Sequence, residues 1–256
     1  MNINQLKVLL KKFDLKVTYN EDLKKKNWFN IGGKSKVFYK SKNLRELVNF
    51  LKKLQNSEKI FILGAGSNTL ISDNLFDGVV IKLNKNFNNI SLLKEDIIIA
   101  GSAVLDKSLS DFALNNSISG FEFLSCIPGT VGGGIRMNAG CFDKEFKDIL
   151  LSVQAIDKSG NIITIPSKDI KFEYRESDLS DDLIFLSASF KGVKSNKIKI
   201  KDKMNKLKIE KETNQPSKIK TSGSTFKNPK SQSKKLKKEF EKQAILHHKY
   251  LASLEK

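Results

Sequence analysis

Two glycine-rich segments of this chain have the composition of phosphate-binding loops. The first, Gly64–Asn68, follows a short apolar run and reads GAGSN. Its two glycines allow the backbone to approach a ligand closely, and successive N–H groups can cradle phosphate oxygens. A Rossmann fingerprint would require a third glycine where Thr69 stands, and a Walker loop would require a lysine that this segment lacks. Taken alone, the segment also fits a simple tight turn after a strand.

The second segment, Ile127–Gly140, contains five of the chain's 15 glycines. A segment so rich in glycine loses much backbone entropy when it becomes ordered, and close packing against a flat or charged ligand would compensate for that loss. A flexible surface loop is the alternative. Val131, Ile135 and Met137 are interleaved with the glycines and favour a buried segment instead.

Two further segments bring together polar side chains that could bind or protonate a substrate. Phe172–Ser177 contains a phenol, a guanidinium group and a hydroxyl, whereas Thr221–Pro229 contains several hydroxyls, an ammonium group and an amide. The alternatives are a surface loop with a solvated arginine for the first and an ordinary polar turn for the second. Neither segment identifies a reaction by itself.

The elements that position these segments can be predicted from hydrophobic spacing. Apolar residues spaced along one helix face predict helices over Met1–Phe13 and Asn43–Leu54, the second with Asn43 as its N-cap. Short apolar runs predict strands at Ser35–Tyr39, Lys59–Leu63 and Gly78–Leu83. Together they predict a βαβ-like unit in which the GAGSN turn follows the middle strand.

The middle of the chain mixes strands and helices irregularly, which is typical of an α+β fold. We predict a helix over Leu105–Asn115 and strands over Asp96–Ala100, Leu151–Asp157, Asn161–Ile165 and Leu183–Phe190. A lysine-rich helix over Asn196–Asn214 follows, so we place a domain boundary near Lys194. Lys230–Lys256 is a basic, helical segment that is too short and too polar to form a domain alone.

Composition restricts the class of protein. Hydrophobic residues make up 39% of the 256 residues, enough for a core, and no apolar run approaches the roughly 18 residues that a membrane span requires. The N-terminus lacks the continuous apolar stretch of a signal peptide, so we expect a soluble, cytoplasmic protein. The formal charge of +18 rests on 46 basic residues, of which only three are arginine. Because the lysines are spread along the chain, we expect no specific nucleic-acid partner.

Cysteine and histidine usage argues against disulfides and metals. Cys126 and Cys141 could form at most one bridge, and we expect them to be reduced thiols in a cytosolic protein. The only histidines, His247 and His248, are adjacent and match no zinc spacing, so we predict no metal site. The sequence leaves the oligomeric state open.

The four segments, in this order, resemble the MurB family of UDP-N-acetylenolpyruvoylglucosamine reductases. The similar region extends from about Lys26 to Pro229. It includes Asn30–Gly33 (NIGG), the GAGSN turn, PGTVGG followed by MNAG, the Tyr174-Arg175-x-Ser177 box and SGSTFKNP. The combination is far more specific than any single motif, and the compact layout is similar to the family's shorter, type II members.

This resemblance implies an α+β fold with a vanillyl-alcohol-oxidase-type FAD-binding domain in two subdomains, residues 1–84 and 85–194. Residues 195–256 would form an incomplete C-terminal substrate domain that ends in the basic helical tail. The implied cofactor is FAD, for which the glycine turns supply a suitable cradle. The residues expected to bind it are Ile31, Gly32, Gly33, Gly64, Ala65, Gly66, Ser67, Asn68, Thr69, Pro128, Gly129, Gly132, Gly133, Asn138, Ala139 and Gly140.

The resemblance also implies a reaction. NADPH would deliver a hydride to FAD, and the reduced flavin would pass it to the enolpyruvyl double bond of UDP-N-acetylglucosamine enolpyruvate, giving UDP-N-acetylmuramate for peptidoglycan synthesis. Arg175 would hold and polarise the substrate carboxylate. Ser224 would protonate the enol intermediate, with Lys227 as a candidate to assist it. Tyr174, Lys227 and Asn228 would contact the substrate.

The sequence departs from the family pattern after the SGSTFKNP loop. Family members normally end in a strand-rich module with a late glutamate that assists Arg175, whereas Glu239, Glu241 and Glu255 stand in no matching context. We therefore expect FAD binding to be retained and turnover to be reduced. Two alternatives stay open: another FAD-dependent oxidoreductase on the same scaffold, and a non-catalytic flavin-binding or basic interaction protein.

Overall fold

The computed structural model of the chain describes residues 3–11, 17–54 and 58–214. Two of the predicted segments, the loop Thr221–Pro229 and the basic tail Lys230–Lys256, therefore lie outside the described residues. Within the described ranges, no helix is both long and apolar enough to cross a lipid bilayer.

The first half of the chain forms a four-stranded sheet with two helices. Its elements are α1 (Ile3–Lys11), β1 (Val17–Asp22), β2 (Lys34–Ser41), α2 (Leu44–Leu54), β3 (Ile60–Ile62) and β4 (Phe76–Leu83). The strand order is β1-β2-β4-β3, with β1 antiparallel to β2 and the other neighbours parallel. The predicted βαβ-like unit is confirmed, since α2 connects the parallel strands β2 and β3 and β4 inserts between them.

Helix α2 forms where its hydrophobic spacing predicts. Asn43 caps it, because its side-chain Oδ1 accepts the backbone N–H of Glu46 at 2.9 Å. The helix buries Leu47, Phe50, Leu51 and Leu54 against the sheet. The Phe50 ring stacks on Tyr39 of β2 with their centroids 4.0 Å apart, which fixes the helix over the sheet.

The second half of the chain forms a larger, antiparallel sheet. Its strands are β5 (Ile90–Lys94), β6 (Ile97–Gly101), β10 (Leu150–Ile156), β11 (Ile162–Pro166) and β14 (Ile184–Lys191), in the order β11-β10-β14-β6-β5. Helices α3 (Asp106–Asn115) and α4 (Val131–Arg136) share a core with this sheet. Short strands complete the fold: β7 (Ile118–Ser119) with β15 (Val193–Lys194), β8 (Gly140–Cys141) with β9 (Lys144–Glu145), and β12 (Phe172–Glu173) with β13 (Glu176–Ser177).

The two sheets share part of one hydrophobic core. Ile156, Ile184 and Leu186 come from the second sheet, yet they pack among the buried residues of the first sheet and its helices. Burial of apolar side chains at this junction ties the two halves together. The space between the sheets is therefore bounded by packed core on one side.

The last described helix, α5 (Lys197–Asn214), lies on the second half of the chain. It contacts α3 and the 3-10 helix Glu122–Cys126. Its Ile200 is buried, and Lys203 Nζ lies 3.3 Å from the carboxylate of Glu122. The predicted lysine-rich helix is thus confirmed, and it packs along the second half of the chain.

Candidate cofactor-binding site

A cavity of about 500 Å³ lies where the two sheets meet. From the first half it is lined by strand β3, the start of the GAGSN turn and the end of β4. From the second half it is lined by the chain after β6, by the second glycine-rich segment and by the start of β14. The lining residues are Ile60, Phe61, Ile62, Leu63, Gly64, Ala65, Lys82, Leu83, Ser102, Ala103, Leu105, Thr130, Gly132, Gly133, Arg136, Asp181, Leu183 and Phe185.

The two glycine-rich segments touch at this cavity. A Cβ atom added to Gly64 would lie 2.6 Å from the Thr130 hydroxyl oxygen, closer than real Cβ contacts. Position 64 must therefore lack a side chain if the two segments are to approach this closely. Four of the predicted cofactor-binding residues, Gly64, Ala65, Gly132 and Gly133, line the cavity together.

The rest of the first segment lies beside the cavity. Gly66 adopts a left-handed conformation, with φ +72°, and its carbonyl accepts the backbone N–H of Trp28 at 2.9 Å. Asn27 connects this turn to the NIGG segment, because its buried side-chain amide donates to the Ile31 carbonyl at 2.7 Å. Asn27 is a positioning residue that the sequence analysis missed. Ser67, Asn68 and Thr69 continue the turn and do not line the cavity.

The NIGG segment packs on the loop before β4. The backbone N–H of Gly33 donates to the Ser72 carbonyl at 2.8 Å. Gly32 has φ +114°, a conformation that residues with side chains rarely adopt. The Ile31 side chain is 44% exposed. These three predicted residues flank the GAGSN turn without reaching the cavity lining.

The second glycine-rich segment contains a short helix, α4, instead of a loop. Val131 and Ile135 are fully buried, as predicted, and Met137 is half-buried. The sequence analysis explained the glycine density by a ligand alone, and this explanation is only partly correct. A Cβ at Gly134 would lie 2.2 Å from the ring of Phe146, so this glycine allows the helix to pack on its own core.

Gly133 differs from its neighbours in α4. A Cβ added there would meet nothing closer than the Thr130 hydroxyl at 3.6 Å, so the position faces the cavity. Gly132 lies against the backbone of Ser102. Pro128 is exposed, and the Gly129 carbonyl accepts the backbone N–H of Asp106 at 3.2 Å. The glycines of this segment therefore have two roles: Gly134 allows close packing in the core, whereas Gly132 and Gly133 form part of the cavity wall.

The end of the segment, Asn138 to Gly140, is held by protein groups. The buried amide of Asn138 donates to the Glu145 carboxylate at 3.0 Å and to the Glu173 carbonyl at 3.1 Å. Its oxygen accepts the Lys147 backbone N–H at 3.1 Å. The Ala139 N–H donates to the Gly134 carbonyl at 2.8 Å, and Gly140 lies against Lys144 in strand β9. Through Glu173, Asn138 connects the segment to the hairpin that carries Arg175.

Tyr174 and Arg175 form the two-residue tip of the β12–β13 hairpin. Arg175 has φ +59°, and its guanidinium carbon lies 5.3 Å from the centre of the Tyr174 ring. The hairpin is fixed to α4, because the Ser177 hydroxyl donates to the Arg136 carbonyl at 3.0 Å. The box identified in the sequence is thus attached to the cavity wall, although Tyr174 and Arg175 do not line the cavity.

Arg136 is a wall residue whose role the sequence analysis left unassigned. Its guanidinium group donates to the carbonyls of Leu179, Ser180 and Leu183. It also lies over the Phe185 ring, 4.4 Å from its centre. Burial lowers the pKa of Arg136 below its ordinary value, and the nearby Asp181 carboxylate offsets only part of this effect. The scarcity of arginine in the chain was the signal that could have identified this residue.

Two other polar groups of the cavity region were missed. The Ser102 hydroxyl is buried, lines the cavity and has no hydrogen-bond partner among the described residues. Lys82 also lines the cavity, and its pKa is lowered first by burial and then by Lys26 and Lys40. An unpartnered hydroxyl and an ammonium group surrounded by other cations both fit an anionic ligand such as a cofactor diphosphate.

Comparison with known proteins agrees with this site. Residues 36–166, which include both glycine-rich segments, match the protein family described as FAD binding domain. UDP-N-acetylenolpyruvoylglucosamine reductase of Pelagibacter ubique (strain HTCC1062) is 62% identical over 235 residues, which cover 92% of this chain and 78% of that protein. The chain belongs to the UDP-N-acetylenolpyruvoylglucosamine reductase family. The reductase of Rickettsia typhi (strain ATCC VR-144 / Wilmington) is 46% identical over 85% of this chain and 73% of its own length.

Solved structures place the chain on the same fold as this reductase family. The MurB reductase from Thermus caldophilus superimposes with a TM-score of 0.73 at 28% identity, covering 86% of this chain and 77% of that one. Physcomitrella patens BBE-like 1 has a TM-score of 0.52 at 14% identity, covering 76% and 45%, which is a likeness of fold alone. The predicted α+β, vanillyl-alcohol-oxidase-type fold is confirmed. Ser224, Lys227 and Asn228 lie outside the described residues, so their roles stay predictions.

Proposed function

We propose that this chain carries out the reaction of its family, the NADPH-dependent reduction of UDP-N-acetylglucosamine enolpyruvate to UDP-N-acetylmuramate, with FAD as cofactor. Its close identity to curated reductases supports the reaction. The observation that carries the cofactor site is the cavity where both glycine-rich segments meet. FAD, when bound, would supply a hydride acceptor and donor that the twenty amino acids do not provide.

The cavity residues would hold the cofactor through backbone and polar groups. Gly64, Ala65, Gly132 and Gly133 leave room for close approach, since no side chain projects there beyond a methyl group. The Ser102 hydroxyl would donate a hydrogen bond to the ligand, and Lys82 would offset part of the negative charge of its diphosphate. The other predicted residues of the two segments would act at their edges or hold the loops in place.

The substrate would bind at the hairpin side of the cavity. Hydride addition to an unsaturated carboxylate builds up negative charge, which a fixed guanidinium group stabilises. We assign this role to Arg175, with Tyr174 beside it as a substrate contact. Ser224 would donate the proton that completes the reduction, and Lys227 and Asn228 would bind the sugar nucleotide.

The organisation and location of the chain follow from the same proposal. We propose FAD-binding subdomains at residues 1–84 and 85–194 and a substrate-binding region at residues 195–256. We place the reaction in the cytoplasm, where NADPH and nucleotide sugars are available. The proposed partners are therefore small molecules, and none of these assignments requires a specific nucleic acid.

Anaerobic stopped-flow absorbance of the FAD-loaded chain would test the reaction. NADPH should bleach the flavin absorbance, and the enolpyruvyl sugar nucleotide should then restore it. Arg175→Met should leave bleaching intact and slow the restoration by about a hundredfold or more, because an interaction specific to the transition state is lost. Arg45→Met is the matched control, because Arg45 lies on the exposed face of α2.

The outcomes separate the competing functions. Bleaching without restoration by the sugar nucleotide would favour a flavin-binding protein or an oxidoreductase for another substrate. Failure to bind FAD would contradict the proposal as a whole. Equal restoration rates in Arg175→Met and Arg45→Met would remove Arg175 from the proposed mechanism and leave the reaction standing.

A further inference from the structure

The chain's two cysteines stand at the two ends of the second glycine-rich segment. Cys126 is the last residue of the 3-10 helix Glu122–Cys126, directly before Ile127, and Cys141 follows Gly140 in strand β8. Strand β8 lies against this 3-10 helix, and the Cys141 thiol reaches the Phe123 carbonyl at 3.2 Å. Both cysteines are present as free thiols.

We propose that Cys126 and Cys141 are a reversible oxidation site, at which a peroxide converts the two thiols into an intramolecular disulfide. The bond would join the ends of the segment 127–140 and close it into a ring. Helix α4 and the wall residues Gly132, Gly133 and Arg136 lie inside that ring. Formation of the disulfide does not depend on the proposed reductase function, whereas any effect on FAD affinity rests on it.

The two sulfur atoms have different surroundings, which indicate which cysteine reacts first with peroxide and which one then forms the disulfide. The Cys141 thiol donates to the Phe123 carbonyl at 3.2 Å, and Phe123 lies one 3-10 turn before Cys126, so the Cys141 sulfur lies beside the end of the helix that carries Cys126. The neighbouring Cys141 thiol is the main cause that lowers the pKa of Cys126 to about 6; burial opposes this effect, whereas Ser125 and Lys211 lower the pKa further. The same contact raises the pKa of Cys141. Cys126 is therefore the thiolate nucleophile at neutral pH, and Cys141 is the thiol that resolves the product.

The chemistry balances with hydrogen peroxide as the oxidant. The Cys126 thiolate attacks one peroxide oxygen, the O–O bond breaks, and Cys126 becomes a sulfenic acid while hydroxide leaves and takes a proton to form water. The Cys141 sulfur then attacks the Cys126 sulfur, displaces its hydroxyl group and loses its own proton, which gives the disulfide and a second water. Two thiols are oxidised and one peroxide is reduced.

Access to Cys126 favours a small oxidant. The residue is 7% exposed, and Cys141 is half-buried. Hydrogen peroxide is scarcely larger than water, whereas glutathione disulfide is a bulky, charged peptide. We therefore expect peroxide to react much faster than glutathione disulfide.

Peptide mass spectrometry of the native, FAD-loaded chain after peroxide treatment tests the proposal, with dimedone present to trap sulfenic acid. In the wild-type chain we expect a cross-linked Cys126–Cys141 peptide, its loss on addition of dithiothreitol, and little dimedone adduct. In Cys141→Ser the dimedone adduct should accumulate on Cys126. In Cys126→Ser, Cys141 should stay reduced under the same treatment.

Two results would overturn the proposal. One is a wild-type chain that accumulates the dimedone adduct on Cys126 as Cys141→Ser does, because Cys141 would then fail to reach it. The other is a disulfide that forms only between two chains, seen as a dimer on non-reducing gels. Flavin fluorescence of the reduced chain, measured alongside, tests FAD binding separately, so its failure would count against the proposed function and not against the disulfide.

Discussion

Asp106 carries a carboxyl group with no hydrogen-bond partner for either oxygen among the described residues. The residue begins helix α3 and is completely buried beside Gly129. Burial raises the pKa of Asp106 from 3.8 to about 8, because the charged form would lose its hydration without gaining a partner. The group is therefore protonated in the folded chain at neutral pH.

Asp106→Asn should remove a pH dependence of stability. The folded chain holds this proton more tightly than the unfolded chain, so the free energy of unfolding should fall as pH rises from 3.8 towards about 8. The limiting slope is about 1.4 kcal/mol per pH unit for one group. Urea unfolding of both chains across this pH range measures the difference. Parallel pH profiles for the two chains would mean that Asp106 titrates normally.

Gly64→Ala should weaken FAD binding by about tenfold or more, which corresponds to a penalty of about 1.4 kcal/mol. The added methyl group would lie 2.6 Å from the Thr130 hydroxyl oxygen, so the two glycine-rich segments would have to separate. Flavin fluorescence titration measures the dissociation constant. Thr130→Ala removes the opposing hydroxyl oxygen. The double variant should therefore bind FAD with nearly the same dissociation constant as Thr130→Ala alone. A double variant as weak as Gly64→Ala would contradict this explanation.

Single site residues could be predicted from the sequence where they belong to a recognisable motif. They could not be predicted where their position depends on a contact with residues far away in the chain. The glycine segments and the Tyr174-Arg175 box were found directly. The side-chain amide of Asn138 donates a hydrogen bond to the Glu173 carbonyl, 35 residues away, and no local sequence pattern predicts that contact. The burial of Asp106 likewise depends on the path of the segment around Gly129.

At the scale of elements, the buried Lys36 side chain connects strand β2 to strand β4 and to the residue pair that precedes β3. Lys36 of β2 lies 3.1 Å from Glu58, which precedes β3, and 2.9 Å from Asp77 of β4. Burial opposes the charge on Lys36, but its hydrogen bonds to Asp77 and Glu58 outweigh that effect and raise its pKa. Lys36 and Glu58 are nearly inaccessible, whereas the Asp77 side chain is 79% exposed.

Lys36→Met should destabilise the chain by about 3–5 kcal/mol, because the buried Glu58 carboxylate would lose its ion pair with Lys36. Urea unfolding at neutral pH measures the loss. Lys36→Met combined with Glu58→Gln should recover part of the lost stability, since the buried negative charge is then removed as well. Asp77→Asn is the matched control and should have a small effect, because the Asp77 side chain is exposed to water and Lys36 keeps its ion pair with Glu58. A small effect of Lys36→Met would show that solvent reaches Glu58.

Elements with strong hydrophobic spacing were predicted to within a few residues, and weakly patterned ones were not. Strand β1 was missed because most of its residues are polar, and β5 was missed because its three apolar residues neither alternate strictly nor form a run of four. Helix α4 was missed because three consecutive glycines oppose helix formation locally. Tertiary packing around Gly134 and Phe146 supports it instead.

At the scale of the whole molecule, the shared core predicts a single cooperative unfolding transition. FAD bound between the two sheets should raise the free energy of unfolding by about 2.7 kcal/mol when its concentration is a hundred times its dissociation constant. Fluorescence of Trp28, the chain's only tryptophan, reports on the first half, and far-ultraviolet circular dichroism reports on both. The two signals should change together with and without FAD. Separate transitions, with FAD shifting only one, would contradict the shared core.

The arrangement of the two sheets was beyond sequence analysis. Both strand orders depend on pairing between strands that are far apart in the sequence. These orders are the insertion of β4 between β2 and β3 and the arrangement β11-β10-β14-β6-β5. The resemblance supplied the fold class, but not the packing of Ile156, Ile184 and Leu186 into the core of the first half.

That packing determines how the cavity can respond to a ligand. Its walls could separate only by exposing Ile156, Ile184 and Leu186 to water, and each would resist by roughly 1.5–3 kcal/mol. The width of the cleft is therefore set when the chain folds, and the cofactor enters a preorganised space with little rearrangement. In kinetic terms, FAD association should be a single step whose observed rate rises linearly with FAD concentration and reaches no plateau.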